Sequence, residues 1–375
     1  MSSSAPSLKV ALVSTGLGRV LRGFESFTES LFDSLRKYAP HVDVTLFQGG
    51  GRWGDRRVVI PNCHRYGAPA RWFGYEKGNL LEKRSFALAL YPLLRWGHYD
   101  IVHYNELVMG SALFHLRRYL GGRYKLLYCN GAPSPPVHYR DRCDFGQMLT
   151  GPEYEEAAAS GMPQNRLFLL PYGADGDRFS PQNQLVRRAV RQELGIPEDA
   201  RVVLTVAALN SRHKRVDYLI REIARLDQPA WLVAAGQPTE ETEFLKQEGT
   251  RLLPGRFRLI TWPYERMHLL YAGADAFSLC SLTEGFGLVT VEAMLSGLPV
   301  LAHDAKVFRW IAGHSGVKCI NMSEQGTLAA ALAGILANRN YSNSRAEALR
   351  RFSWERLVPQ YVQMYETIGN GNRRT

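Results

Sequence analysis

Two carboxylates eight positions apart, Glu284 and Glu292, flank a turn bracketed by glycine, Glu284-Gly285-Phe286-Gly287, in a chain of 375 residues. The turn follows an apolar run at 276–280 and leads into a helical pattern at 288–296. Gly297 and Pro299 close that pattern in the order expected of a helix end. A glycine-rich turn from strand to helix offers the N–H groups of the first helical turn and the positive end of the helix dipole, which together can hold a diphosphate. Gly285 and Gly287 permit close approach, so the backbone of Phe286, Gly287, Leu288 and Val289 is the candidate phosphate cradle. A carboxylate beside phosphate is repelled unless it reaches past it to hydroxyl groups, as an acidic residue does on a ribose. Glu284 and Glu292 therefore point to sugar and ribose hydroxyls.

Other patterns exclude chemistries. Gly16-x-Gly18 followed by Gly23 lacks the G-x-G-x-x-G spacing of a nicotinamide-binding turn. Asp175-Gly-Asp177 has a D-x-D spelling, but it lies among turn-forming residues at 171–181 and reads as a turn rather than a metal site. The ten histidines contain no H-x-x-x-H pair, and the five cysteines are odd in number with no C-x-x-C. Neither a zinc centre nor a disulfide framework is indicated, and no metal or cofactor is expected.

The formal net charge of +11 raises the question of a polyanionic partner. It is spread evenly, about +6 over residues 1–180 and +5 over 181–375, so no basic half or tail marks a nucleic-acid site. No apolar run approaches the ~20 residues that span a bilayer, and residues 1–7 lack the basic start and apolar core of a signal peptide. A cytoplasmic location is expected. Residues 69–96 interleave Arg71, Lys77, Lys83, Arg84 and Arg95 with Trp72, Phe73, Tyr75, Phe86, Tyr91 and Trp96. This reads first as a core-packed helix with solvated basic residues, and second as a peripheral membrane contact or sugar-acceptor surface.

The elements that must position these residues alternate. Apolar runs at 8–14, 42–47, 100–104 and 125–129 read as strands, with helical spacing at 24–38 and 111–119. A second series has strands at 201–207, 230–235, 258–261, 276–280 and 300–302 and helices at 216–226, 267–273 and 288–296. Strand–helix alternation means parallel sheets, with ligands at the carboxyl ends of the strands. The length suits two α/β domains that meet near 171–181.

The whole string EGFGLVTVEAMLSGLPVLA resembles the E-G-F-G-x-x-x-x-E-A-M-x-x-G-x-P-V signature of retaining glycosyltransferases of family 4. Val206-Ala-Ala-Leu-Asn-Ser-Arg-His-Lys214 through Ile220 is similar to the family's V-G-R-L-x-x-x-K-G-x-x-x-L-I segment. So is Pro171-Tyr-Gly-Ala-Asp175…Phe179 to its P-N-G-V-D-x-x-x-F turn. Tyr271-Ala-Gly-Ala-Asp275, Ser281-Leu-Thr-Glu284 and Phe352-Ser-Trp354 extend the likeness.

The resemblance implies a GT-B fold: two Rossmann-like domains facing a central cleft, with a C-terminal helix crossing back to the N-terminal lobe. Residues 1–175, with a crossover helix at about 355–375, would bind the acceptor, and residues 176–354 a UDP-, GDP- or ADP-sugar donor. The acceptor would be a hydroxyl on a glycan, a lipid-linked sugar or a small molecule. Lys214 matches the family lysine on the donor diphosphate. Ala208 stands where the family arginine is expected, and Arg212 or Arg215 supplies the second cation instead. Glu284 would orient the donor sugar and Glu292 hold the ribose, while Gly18, in the glycine loop of the first lobe, and Asn130 would be binding residues. Gly23-Phe24-Glu25 and Asp100-Ile-Val-His103 echo further N-lobe motifs. Asn130, before Gly131, stands where the family often has histidine; it can hydrogen-bond a sugar hydroxyl but cannot shuttle protons. The implied activity is metal-independent hexosyl transfer with retention of configuration. Ala208 and Asn130 are the features of the alternative, a catalytically silent sugar-nucleotide sensor or partner subunit of the same fold.

Overall fold

The computed structural model describes residues 8–20, 23–68, 72, 74–338 and 344–370. Residues 1–7, Arg71 and Phe73, which entered the readings of a leader and of the stretch 69–96, lie outside them. The chain divides into two compact units: unit 1 comprises residues 1–173 with 354–375, and unit 2 comprises residues 174–353.

Unit 1 is built on seven strands: β1 (Lys9–Ser14), β2 (Asp43–Gln48), β3 (Arg57–Val59), β4 (Ile101–Tyr104), β5 (Lys125–Cys129), β6 (Phe145–Met148) and β7 (Leu167–Leu169). Their order is β3-β2-β1-β4-β5-β6-β7, and every pairing is parallel. Unit 2 carries β8 (Arg201–Val206), β9 (Ala230–Ala235), β10 (Phe257–Ile260), β11 (Ala276–Leu279), β12 (Val300–His303) and β13 (Lys318–Ile320). These run β10-β9-β8-β11-β12-β13, again all parallel. Helices connect the strands, which makes both units Rossmann-like. Parallel sheets with helices on both faces bury their central strands, and β1, β4, β8 and β11 are accordingly near-continuous apolar runs.

Strand order reverses between β1 and β4 in unit 1 and between β8 and β11 in unit 2. At such a reversal the connections leave toward opposite faces and open a crevice at the carboxyl ends of the strands. The loops after these four strands are therefore the positions where each unit can hold a ligand.

Four short strands, β3, β6, β7 and β13, lie outside the apolar runs read from the sequence. β3 is three residues at a sheet edge. β6 contains Gly146 and the buried Gln147, whose Nε2 donates to Leu170 O at 2.7 Å and to Tyr361 Oη at 2.8 Å. Gln147 serves as a brace for the helix Trp354–Asn370, by which the chain returns to unit 1. Tyr361 Oη also donates to Pro171 O, Trp354 Nε1 donates to Ser30 Oγ at 2.6 Å, and Tyr172 stacks on Phe27 at 3.9 Å. His103 meets Tyr365 Oη at 2.8 Å in this cluster, and burial pulls its imidazole down to about 3. It is a neutral core residue.

The helix Gly74–Trp96 divides the aromatic residues of the stretch 69–96. Phe86 and Tyr91 enter the core, whereas Tyr75 and Trp96, like Trp72 just before the helix, are exposed. No helix among the described residues is long and apolar enough to cross a membrane.

Gly18 shows what the glycine loop of unit 1 requires. Its φ is +83°, and an added Cβ would lie 2.3 Å from the carbonyl carbon of Gly50. The loops after β1 and β2 thus pack backbone to backbone. Gly18→Ala adds left-handed strain to this collision and is expected to cost about 2–3 kcal/mol. Urea unfolding reads this directly; an unchanged midpoint would contradict the packing role.

Candidate functional site

In unit 2, the loop over residues 207–215 follows β8, and the loop over residues 280–287 follows β11. Asn210 shapes the first. Its Oδ1 accepts from the N–H of His213 at 3.1 Å and of Lys214 at 2.8 Å, a side-chain turn that fixes the backbone bearing Lys214. Lys214 Nζ then forms an ion pair with Glu284 Oε1, and His213 Nε2 lies 3.0 Å from Thr283 O. The two loops are joined across the crevice at adjacent residues. Ser211 Oγ and Ser281 Oγ are buried with no hydrogen-bond partner among the described residues, so the crevice carries spare polar capacity.

The structure distinguishes the two candidate arginines. Arg215 has φ +51° as it enters the helix Val216–Ala224, and its Nη1 donates to Met322 O at 2.7 Å. Its guanidinium also lies over the Tyr218 ring at 4.3 Å. That geometry gives Arg215 a bracing role between the loop and residue 322. Arg212 is exposed.

Phe286 anchors the second loop: its side chain is buried and meets Phe352 edge-on at 5.8 Å. Gly285 before it is buried as well, and Gly287 after it is partly exposed. Gly287 takes φ +77°, the left-handed conformation that glycine adopts without strain, and starts the helix Leu288–Leu295. The N–H groups of Leu288 and Val289 are the first of that helix and are not used by its own ladder.

Glu292 lies one turn deeper and is buried. Tyr271, on the helix Met267–Gly273, donates its hydroxyl to Glu292 Oε2 at 2.7 Å. Burial pushes the Glu292 carboxyl up to about 7, against the opposing pull of the Tyr271 hydrogen bond and the Arg178 charge. Arg178 itself donates to the carbonyl of Tyr264, and its guanidinium lies over the Tyr264 ring at 4.5 Å. Arg178 thereby connects the segment after Asp175 to the loop that follows β10. Asp175 Oδ1 accepts from the N–H of Asp177 at 2.9 Å and of Arg178 at 3.0 Å, so the D-x-D sequence is a side-chain-capped turn.

Asn210, Tyr271 and Arg178 were not apparent as site residues in the sequence. Tyr271 and Arg178 lie inside strings that resemble family motifs, but nothing in the strings links either to Glu292. Asn210 also lies inside such a string, at a position where the family motif specifies no residue.

Unit 1 places Asn130 at the end of β5, buried, with its N–H on Gln147 O at 2.9 Å and its Oδ1 accepting from Tyr128 Oη at 3.2 Å. Gly131 beside it packs against Tyr172 and Phe24, where a Cβ would lie 1.9 Å from Tyr172 Oη. Gly18 lies on the loop after β1.

Comparison with known proteins finds similarity to glycosyltransferases. Residues 186–352 match the profile described as Glycosyl transferases group 1. D-inositol 3-phosphate glycosyltransferase of Geodermatophilus obscurus is 33% identical over 223 residues, 55% of this chain and 48% of that protein. MMP alpha-(1->4)-mannosyltransferase of Mycolicibacterium hassiacum is 28% identical over 213 residues, 54% of this chain and 48% of its own length. The chain spans about half the length of these curated relatives. Among solved structures, sucrose-phosphate synthase of Thermosynechococcus elongatus superposes with a TM-score of 0.79 at 19% identity, over 97% of this chain and all of that one. Anabaena HepE in complex with UDP and glucose superposes with a TM-score of 0.73 at 19% identity, covering 96% and 100%. The fold is GT-B.

The Glu292 carboxyl has a thermodynamic consequence. Its folded-state pKa lies above the ordinary 4.5, so the unfolded chain releases this proton at lower pH than the folded one. Stability therefore falls as pH rises from about 4.5 through 7, by on the order of 3 kcal/mol. Glu292→Gln removes that contribution. Urea midpoints at pH 5 and pH 8 should show the variant gaining on the wild type at the higher pH; parallel pH profiles would contradict it.

Proposed function

We propose, from the membership of residues 186–352 in the glycosyl transferases group 1, that the chain moves a sugar from a nucleoside-diphosphate sugar to a hydroxyl acceptor. The observation that carries this reading is the Lys214–Glu284 pair, set opposite the glycine-bracketed helix start at the β8–β11 crevice. A cation, a row of backbone N–H groups and a carboxylate converge where the fold opens a ligand site. The UDP in the HepE structure supports a nucleotide at this kind of fold.

In this account the donor diphosphate takes Lys214 from Glu284, since a diphosphate carries more charge than one carboxylate and offers more acceptor oxygens. Backbone N–H groups over 286–289 hold the same phosphates, and the exposed Arg212 supplies a second cation. Glu284, released from its ion pair, accepts hydrogen bonds from the sugar hydroxyls and fixes the ring. Glu292 does the same for the ribose. As the glycosidic bond lengthens, negative charge grows on the departing diphosphate, where Lys214 and the helix N-terminus stabilise it.

Transfer proceeds with retention and without a metal ion. The diphosphate oxygen that loses the sugar carbon accepts the proton of the incoming hydroxyl on the same sugar face, so no protein nucleophile takes part. Lys214→Ala and Glu284→Ala are each expected to lower kcat by about 10²–10³-fold while circular dichroism stays unchanged. Transfer or slow hydrolysis of UDP-, GDP- and ADP-sugars is the assay. Full turnover in both variants would remove the site assignment.

A further inference from the structure

We infer that the outer face of the helices Gly74–Trp96 and Leu107–Leu120 in unit 1 is a docking surface for an anionic lipid bilayer. The inference is independent of the transfer reaction. Both helices end at the amino edge of the first sheet, one before β4 and the other before β5. That edge lies opposite the crevice, which opens at the carboxyl ends of the strands. The two helix ends are tied together. Tyr91 Oη donates to Gly121 O at 2.7 Å, and a Cβ added to Gly121 would lie 3.6 Å from Arg95 Nε.

Both helices carry apolar side chains on the solvent side as well as on the core side. Phe86, Leu90 and Leu94 of the first and Leu113 of the second are buried in the core. On the outer side Leu88 is 59% exposed, Trp96 69%, Tyr119 76% and Leu120 62%. The Tyr119 ring stacks on that of the exposed His115 at 6.3 Å. Large apolar side chains gathered toward two joined helix ends mark an interaction surface rather than scattered exposure.

Charge identifies what covers it. Residues 83–99 and 107–140 contain no Asp or Glu. Arg84, Arg95 and Arg118 are exposed and form no ion pair among the described residues. Arg84, Leu88 and Arg95 recur at helical spacing, so cations and apolar groups share one stripe. The carboxylates that border the amino edge have partners in the protein: Asp100 accepts from Lys9 N–H at 2.8 Å, Asp141 pairs with Arg140 at 3.3 Å, and Asp144 pairs with Arg117. Glu76 and the buried Glu82 lie in the first half of their helix, away from this edge, and Glu155 and Glu156 lie on the helix Gly151–Ala159, which packs on β6 and β7. At a bilayer surface the Trp96 and Tyr119 rings would sit among the headgroups, the leucines reach the acyl boundary, and the arginines meet lipid phosphates. A second copy packed two-fold on this face would set arginines against arginines, and a nucleic acid would leave the leucines in water.

Co-sedimentation of the full chain with vesicles tests this, using phosphatidylcholine alone and equal parts phosphatidylcholine and phosphatidylglycerol. The chain should bind the mixed vesicles about 10-fold or more tightly than the neutral ones, and less tightly as salt is raised. Each arginine near an anionic surface contributes about five-fold in affinity, so the triple variant Arg84→Gln, Arg95→Gln, Arg118→Gln should bind about 100-fold more weakly. The double variant Trp96→Ser, Leu120→Ser should lose about 10-fold or more through its apolar contacts alone. Both variants change exposed side chains, so their urea midpoints should match the wild type. No preference for the mixed vesicles, or wild-type binding by either variant, would overturn the inference. So would a dimer that the double variant abolishes, or retention on duplex DNA, in a chain that does not bind the vesicles.

Discussion

The ion pair between Lys214 and Glu284 joins the loops after β8 and β11, the two adjacent parallel strands at which the strand order of the sheet reverses. Both side chains are largely withdrawn from water, 19% and 9% exposed, so each needs the other or a ligand that replaces it. The surrounding residues serve this arrangement. Asn210 fixes the backbone of Lys214, Phe286 anchors the turn after Glu284, and Arg215 braces the loop against residue 322. In the function proposed here, a diphosphate takes the place of Glu284 as the partner of Lys214.

The same construction appears in unit 1. There a carboxylate after the second strand of the reversal, Glu106, is held by a residue after the first, Thr15. The partners differ in kind. Thr15 is a neutral donor pair, whereas Lys214 is a cation in an ion pair with its carboxylate. Similar topology thus carries two different contacts, and the difference lies in the side chains that close each crevice.

Much of this was legible in the sequence because parallel strands are buried on both faces and read as apolar runs between helical patterns. The turn at Gly285–Gly287 announced itself through glycine before a helix and Gly297 after it. Other features depend on contacts that no local pattern encodes. Tyr271 reaches Glu292 across 21 positions, and the brace at Gln147 places a polar residue in a strand that an apolar pattern passes over. Arg212 and Arg215 were equivalent on paper, since both flank Lys214. The left-handed backbone of Arg215 and its bond to Met322 O separate them. The packing of Gly18 on the backbone of Gly50 is likewise a contact that no local pattern encodes.

The most direct test of the account is a crystal structure of the chain with UDP. The account predicts the diphosphate between Lys214 Nζ and the N–H groups of residues 286–289, the Lys214–Glu284 pair broken, and the ribose hydroxyls on Glu292. A nucleotide bound elsewhere, or bound with that pair intact, would contradict it.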